Sequence, residues 1–170
     1  MMSLVIDRNV VTDPYRRIAE DEPIPEHGAV LVSLAAWQAN ASHLRARAAP
    51  VGVLLRSDEH PEAIAEHLDR LQLVALDFPT FRDGRAYSYA RLLRERFGFT
   101  GELRAVGDVA LEQLHYMERV GFDAFEIESD DPLADFAIAD GDFSVWYQPS
   151  GDCRRSAAQL RSGVKPPAEA

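Results

Sequence analysis

The chain is 170 residues long, 46% hydrophobic, and carries a formal net charge of -10 at neutral pH. That length and apolar content suit one domain with its own core, and the acidic balance excludes general nucleic-acid binding, which needs a positive face to displace counterions from phosphates. Cys153 is the only cysteine, which excludes an internal disulfide and any multi-cysteine zinc or iron-sulfur site within one chain.

Leu4 to Val11 (LVIDRNVV) predicts a small hairpin turning at Asp7 to Asn9, because β-branched apolar runs flank turn-forming residues. Thr12 to Gly28 is acidic and holds Pro14, Pro23 and Pro25, the composition of an extended connection with no expected catalytic part. Ala29 to Trp37 reads as a buried strand, and ASHLRARAA after it as a helix with Leu44 inward. Val51 to Ser57 is a second apolar strand. The segment DEHPEAIAEHLDRL then sets Pro61 near a first helical turn and Ile64, Leu68 and Leu71 along one face.

Leu73 to Phe78 is apolar without alternation, as in a strand covered on both sides. Tyr89, Leu92, Leu93 and Phe97 recur at helical spacing before Gly98. Leu103 to Val106, a helix over Val109 to Val120 with Leu114 and Met117 inward, and Ala124 to Ile127 continue the alternation, and Phe143 to Tyr147 adds an edge strand through which a homodimer could form. From Pro149 onward the chain is polar and predicts a flexible tail.

Strands alternating with helices predict an α/β domain with a mainly parallel sheet of five or six strands, flanking helices and a small N-terminal hairpin. The open, doubly wound form is the first expectation; a partial (β/α) barrel-like arrangement is the alternative, since so few strands cannot close an eight-stranded barrel. The expected division is residues 1–28 as hairpin and arm, 29–148 as the α/β domain and 149–170 as tail. No apolar run approaches the roughly 20 residues that cross a bilayer, and MMSLVIDRNVV lacks a basic segment followed by an apolar core. A soluble cytoplasmic protein without a membrane partner is the expectation.

In parallel α/β sheets ligands bind beyond the carboxyl ends of the strands, where this sequence sets Asp77, Asp108, Glu126 and Glu128 together with Arg56, Ser57 and Asp58. Asp77 and Asp108 are the catalytic candidates, as acid or base. Against that role, Asp83 and Asp108 also fit helix N-caps and Asp77 an ion pair with a nearby arginine. Between residues 82 and 104 lie six arginines against Asp83, Glu95 and Glu102. In the step Asp83-Gly84-Arg85, the glycine permits a tight turn into a helix whose amides favour an anion. Arg82, Arg85, Ser88 and Arg91 form the candidate anion-binding set, because guanidinium forks match sulfate, sulfite, phosphate or carboxylate; the alternative is that these arginines pair with acids or solvate the helix.

The five histidines show no metal-ligand spacing, so no metal is expected, and GxGxxG, GxxxxGK[ST] and GxSxG are all missing, which leaves the cofactor unassigned. Arg154 and Arg155 beside Cys153 would favour its thiolate.

The run LDFPTFRDGRAYSYARLLRERFGFTGELRAVGDVALEQLHYMERVGFDAFEI, with VIDRNVV, DPYRRI, AVLVSLAAWQ and FSVWYQ around it, resembles the bacterial domain of unknown function 934 family. Members are usually encoded beside genes for assimilatory sulfate and sulfite reduction and often carry the label oxidoreductase without a demonstrated reaction. Where members often have a cysteine before GFDAFE, this chain has Val120. The resemblance implies a place in sulfur assimilation, with sulfite- or sulfate-reduction proteins as partners and a sulfur oxyanion as ligand. Two roles follow: an accessory protein that binds a reductase or a small oxyanion, or an enzyme in which Arg82 and Arg85 clamp an anion and Asp77 or Asp108 moves a proton.

Overall fold

The computed structural model describes residues 2–141, 145–151 and 154–163. Its centre is one eight-stranded sheet in the order β2-β1-β8-β7-β6-β5-β4-β3. Strands β3 (Tyr15–Arg17), β4 (Ala29–Ser33), β5 (Val51–Leu55), β6 (Leu73–Phe78), β7 (Glu102–Gly107) and β8 (Ala124–Glu128) are parallel neighbours in sequence order. The hairpin β1 (Met2–Ile6) and β2 (Asn9–Val11) is added antiparallel along β8. It turns, as its sequence predicts, at Asp7 and Arg8, whose positive φ of 49° and 63° suits the two-residue turn that matches strand twist.

Sequential order corrects the first expectation of an open, doubly wound sheet. When every crossover runs to the next strand and keeps the usual right hand, all the helices fall on one face and the sheet curls. The packing agrees. Leu34 and Trp37 of α1 (Leu34–Ala39), Leu44 of α2 (Ala41–Ala46), Ile64 of the 3-10 helix Pro61–Arg70, Ala86 and Ala90 of α3 (Arg85–Arg91), Leu114 and Met117 of α4 (Leu114–Arg119) and Phe136 of α5 (Pro132–Gly141) share one core with alternate strand residues such as Val32, Val53, Leu76, Ala105 and Phe125. The opposite face carries a second, smaller cluster around Leu31, Leu73, Ala75 and Val106. The domain is a half-barrel, the alternative the sequence left open, with helices on its convex side.

Its curvature is visible in one ion pair. Strands β3 and β8 are five steps apart, about 24 Å in a flat sheet, yet the Arg17 guanidinium on β3 reaches Glu126 on β8 at 3.2 Å. Asp13, just before β3, meets Arg104 of β7 at 2.7 Å. The arm over residues 12–28 is therefore part of the sheet: it supplies β3, the sixth parallel strand, and folds across the concave side, while the hairpin brings the sheet to eight.

Local corrections have local causes. The strand expected over Ala29 to Trp37 stops at Ser33, whose hydroxyl accepts the Ala36 amide at 3.2 Å and caps α1. The helix expected over Val109 to Val120 is a 3-10 turn at Leu111–Gln113 followed by α4, with Leu114 and Met117 inward. In place of the strand expected over Phe143 to Tyr147, the described residues Val145 to Tyr147 form a single bridge, Trp146 to Ser156; Phe143, Ser144 and Cys153 lie outside the described residues. The segment expected as a tail carries α6 (Ala157–Ser162), with a reciprocal Ser156–Gln159 capping box. No helix among the described residues is long and apolar enough to cross a membrane.

Candidate functional site at the mouth of the half-barrel

Strand register decides which chemistry meets on the concave face. Ser33 pairs with Leu54, Leu54 with Ala75, Ala75 with Arg104 and Arg104 with Ala124. One layer higher, Asp77 pairs with Val106; continuing the same register sets Arg56 beside Asp77 and Glu126 beside Val106. Arg17 closes the ring by bonding Glu126 at 3.2 and 3.3 Å. Arg17, Arg56, Asp77 and Glu126 thus share the carboxyl-end mouth, where this class of fold binds ligands.

Asp77 receives no hydrogen bond among the described residues and is partly buried. Burial pushes its carboxyl above the ordinary value, Arg17 and Arg56 oppose that rise, and Asp83 adds to it. The backbone beside it is tight. Gly107 has φ +91°, and a Cβ there would lie 2.5 Å from the Phe78 carbonyl oxygen and 2.7 Å from Asp77 Oδ1. Only glycine lets β7 pass so close to the end of β6.

Below the mouth, Arg104 is fully buried. Its Nε donates to Glu102 at 2.8 Å, Nη1 to Asp13 at 2.7 Å and to Glu126 at 3.3 Å, and Nη2 to Asp13 at 3.2 Å. Burial alone would favour its neutral form, but the bonds to Asp13 and Glu102 outweigh it and hold the guanidinium charged. Burial pushes Glu102 up despite that partner, and pushes up Tyr15, whose ring lies 5.6 Å from the Arg104 guanidinium. This is a structural cluster: four of the five Arg104 donors are spent inside it.

A cavity of about 410 Å³ opens beside the mouth, lined by Arg17, Ile18, Leu31, Ser33, Leu54 and Arg56 among others. A larger one of about 700 Å³ lies on the helical side among Phe81, Tyr87, His115 and Tyr116. Two of its polar side chains serve the scaffold: the Gln113 amide donates to the Phe81 carbonyl and accepts from the Ala110 amide, and Ser150 donates to the Arg119 carbonyl. Burial pushes the Tyr87 hydroxyl up to about 12.

The candidates read from sequence separate in space. Asp77 stands in the mouth. Asp108 braces the loop after β6 by accepting the Phe81 amide at 2.8 Å, and it does not cap the following turn, which begins from Ala110. Asp83 accepts the Arg85 amide at 3.2 Å and its guanidinium at 2.6 and 3.0 Å, which holds the Asp83 carboxyl well below the usual carboxylate range. Arg85 also donates to Ser57 at 2.9 Å, at the rim. Arg91 forms a two-point pair with Glu95, both contacts at 3.1 Å; Ser88 is exposed, and Arg82 is exposed with no hydrogen bond or ion pair among the described residues. Arg94 is scaffold as well, donating to the carbonyls of Phe99, Gly101 and Gly121 and to Asp123. No group of three or more His, Cys, Asp or Glu among the described residues could hold a metal ion.

Arg17 and Arg104 are the residues sequence reading passed over. Arg104 leaves a signal in alternation, since Glu102, Arg104 and Val106 share one face of β7 with apolar Leu103 and Ala105 between them, whereas β3, with Arg16 beside Arg17, leaves none. Charges at every second position of an otherwise apolar strand mark the side facing a polar interior.

A family model described as a bacterial protein of unknown function (DUF934) matches residues 52–158, a span that includes Arg56, Asp77, Asp108 and Glu126 and leaves Asp13 and Arg17 outside. No curated protein matches the chain. With more than half its length matched, the chain belongs to the DUF934 family of bacterial proteins.

Proposed function

We propose that the protein is an accessory factor of assimilatory sulfate or sulfite reduction that takes a small oxyanion at the mouth of its half-barrel. One observation carries the binding reading: Arg17 and Arg56 flank Asp77 at the carboxyl ends of parallel strands, beside an open cavity. Each arginine keeps donors free. Both contacts from Arg17 to Glu126 use Nη2, and Arg56 spends only Nη2 on Glu59, at 3.4 Å. A neutral Asp77 would add a donor in place of a repelling charge. The sulfur setting rests on the family resemblance carried by LDFPTFRDGR and GELRAVGDV.

Thermal unfolding with sulfate, sulfite, phosphate and adenosine 3',5'-bisphosphate at constant ionic strength tests the reading. A ligand at about 100 times its dissociation constant adds roughly 2.7 kcal/mol, a rise of roughly 5–11 °C for a chain of this size. The rise should disappear in Arg56→Ala and survive in Arg91→Ala. No rise with any anion, or one that survives Arg56→Ala, sinks the reading. The raised carboxyl of Asp77 favours a second reading, an enzyme in which this acid protonates a bound oxyanion; it requires turnover that Asp77→Asn abolishes while the fold persists.

A further inference from the structure

Most of the ring at the mouth is charge on charge, whereas the cavity beside it is mainly apolar, with Glu20 as its one acidic lining residue. Arg17 and Arg56 sit on its lip, at the end of β3 and just past β5, while Leu31 and Leu54 line it between them and Ile18 closes one side. The space exists because the concave layer here is filled incompletely. Leu54 is flanked in register by Ser33 and Ala75, where closed barrels place bulky branched residues. Leu54 consequently stays partly exposed although β5 is an interior strand of the sheet, whereas Val53 and Leu55 beside it are buried. The Ser33 hydroxyl, which accepts the Ala36 amide, keeps its own hydrogen to donate.

We infer that the site takes an organic anion, a sulfonate, sulfinate or carboxylate head held by Arg17 and Arg56 with a compact uncharged body lying on the partly exposed Leu54. The inference rests on the proposed anion binding at the mouth and narrows it from a bare inorganic oxyanion to an organic one. Two guanidinium groups at a solvent-facing lip suffice for a bare oxyanion, which would leave about 410 Å³ of leucine-lined space empty. Pockets of that size normally enclose a molecule with an apolar body and few polar anchors.

The test is affinity along a chain-length series measured calorimetrically on the full chain at fixed ionic strength: sulfate, methanesulfonate, propane-1-sulfonate and pentane-1-sulfonate, with acetate, butyrate and hexanoate in parallel. Each methylene buried in the cavity should tighten binding about fourfold until the space is filled. Propane-1-sulfonate should therefore bind about 15-fold more tightly than methanesulfonate. In Leu54→Asn the slope should flatten, and in Arg56→Gln every member should weaken. Affinity that is flat along the wild-type series, with sulfate binding as well as the longer sulfonates, overturns the inference and leaves the anion-binding reading standing. Affinities left unchanged in Arg56→Gln place the anionic head elsewhere and also overturn it. No binding by any member refutes both.

Discussion

Arg104→Met removes a fully buried cation from the concave face and keeps an apolar stem of similar reach. Its side chain is fully buried, and its four hydrogen bonds all end on carboxylates of Asp13, Glu102 and Glu126. Without it three acids remain together in a site where burial already pushes Glu102 above its ordinary 4.5. Removing one member of a buried ionic cluster costs about 3–5 kcal/mol, or roughly 6–20 °C in Tm for a chain of this length. The loss should depend on pH. A carboxyl whose folded-state pKa is raised contributes stability that is complete below its unfolded value and is lost as pH rises through the folded one. Arg104 now limits that rise in Glu102, so the variant should fall further behind wild type as pH climbs from 4 to 7, and Glu102→Gln added to Arg104→Met should recover part of the deficit. The assay is thermal unfolding by near-ultraviolet circular dichroism at both pH values. A deficit under about 3 °C at pH 7, well below that expected for a broken buried ion pair, would refute the claim that this cluster holds the arm across the half-barrel. A deficit equal at the two pH values would do the same.

Asp77→Asn should act in the opposite sense. Because the folded-state carboxyl lies above its ordinary 3.8, wild type loses stability as pH rises through that folded value, while the amide does not titrate. Variant minus wild-type Tm should therefore grow between pH 3.5 and 7, a gain of the kind seen when a strained functional group is neutralised; parallel curves would show that Asp77 is not desolvated in the mouth. Gly107→Ala should cost at least about 2 kcal/mol in urea unfolding, since the new methyl meets the Phe78 carbonyl and Asp77 Oδ1 at a positive φ. A loss below about 0.5 kcal/mol, the range of neutral surface changes, would mean that β6 and β7 separate freely at the mouth.

The strand-and-helix alternation from Ala29 to Glu128 was legible in the sequence because parallel strands buried on one face by helices read as short apolar runs between amphipathic segments. Leu44, Ile64, Leu114 and Met117 declared themselves inward through helical spacing and pack in the main core. The Asp7 to Asn9 turn was legible from turn chemistry alone. Asp77 and Arg56 could be placed at strand ends, since those positions follow from where each apolar run stops.

What the sequence could not settle were relations between elements. Whether crossovers step along one direction or reverse is a property of strand order, and the same local pattern serves an open sheet and a half-barrel alike. Register then decided which charges meet: it aligned Asp77 with Val106 on β7, and curvature brought Arg17 to Glu126 across five strands. The arginine-rich stretch shows the limit most plainly. Arg85, Arg91, Arg94 and Arg104 are alike in composition, but their partners, Asp83, Glu95, Asp123 and the Asp13–Glu102–Glu126 set, are chosen by turn geometry, helix spacing and sheet pairing. Composition by itself supplied the charges; only the tertiary structure decided which arginines are consumed in holding the fold and which, Arg17 and Arg56, keep donors facing open space at the mouth, because that depends on what the curved sheet brings within hydrogen-bonding distance.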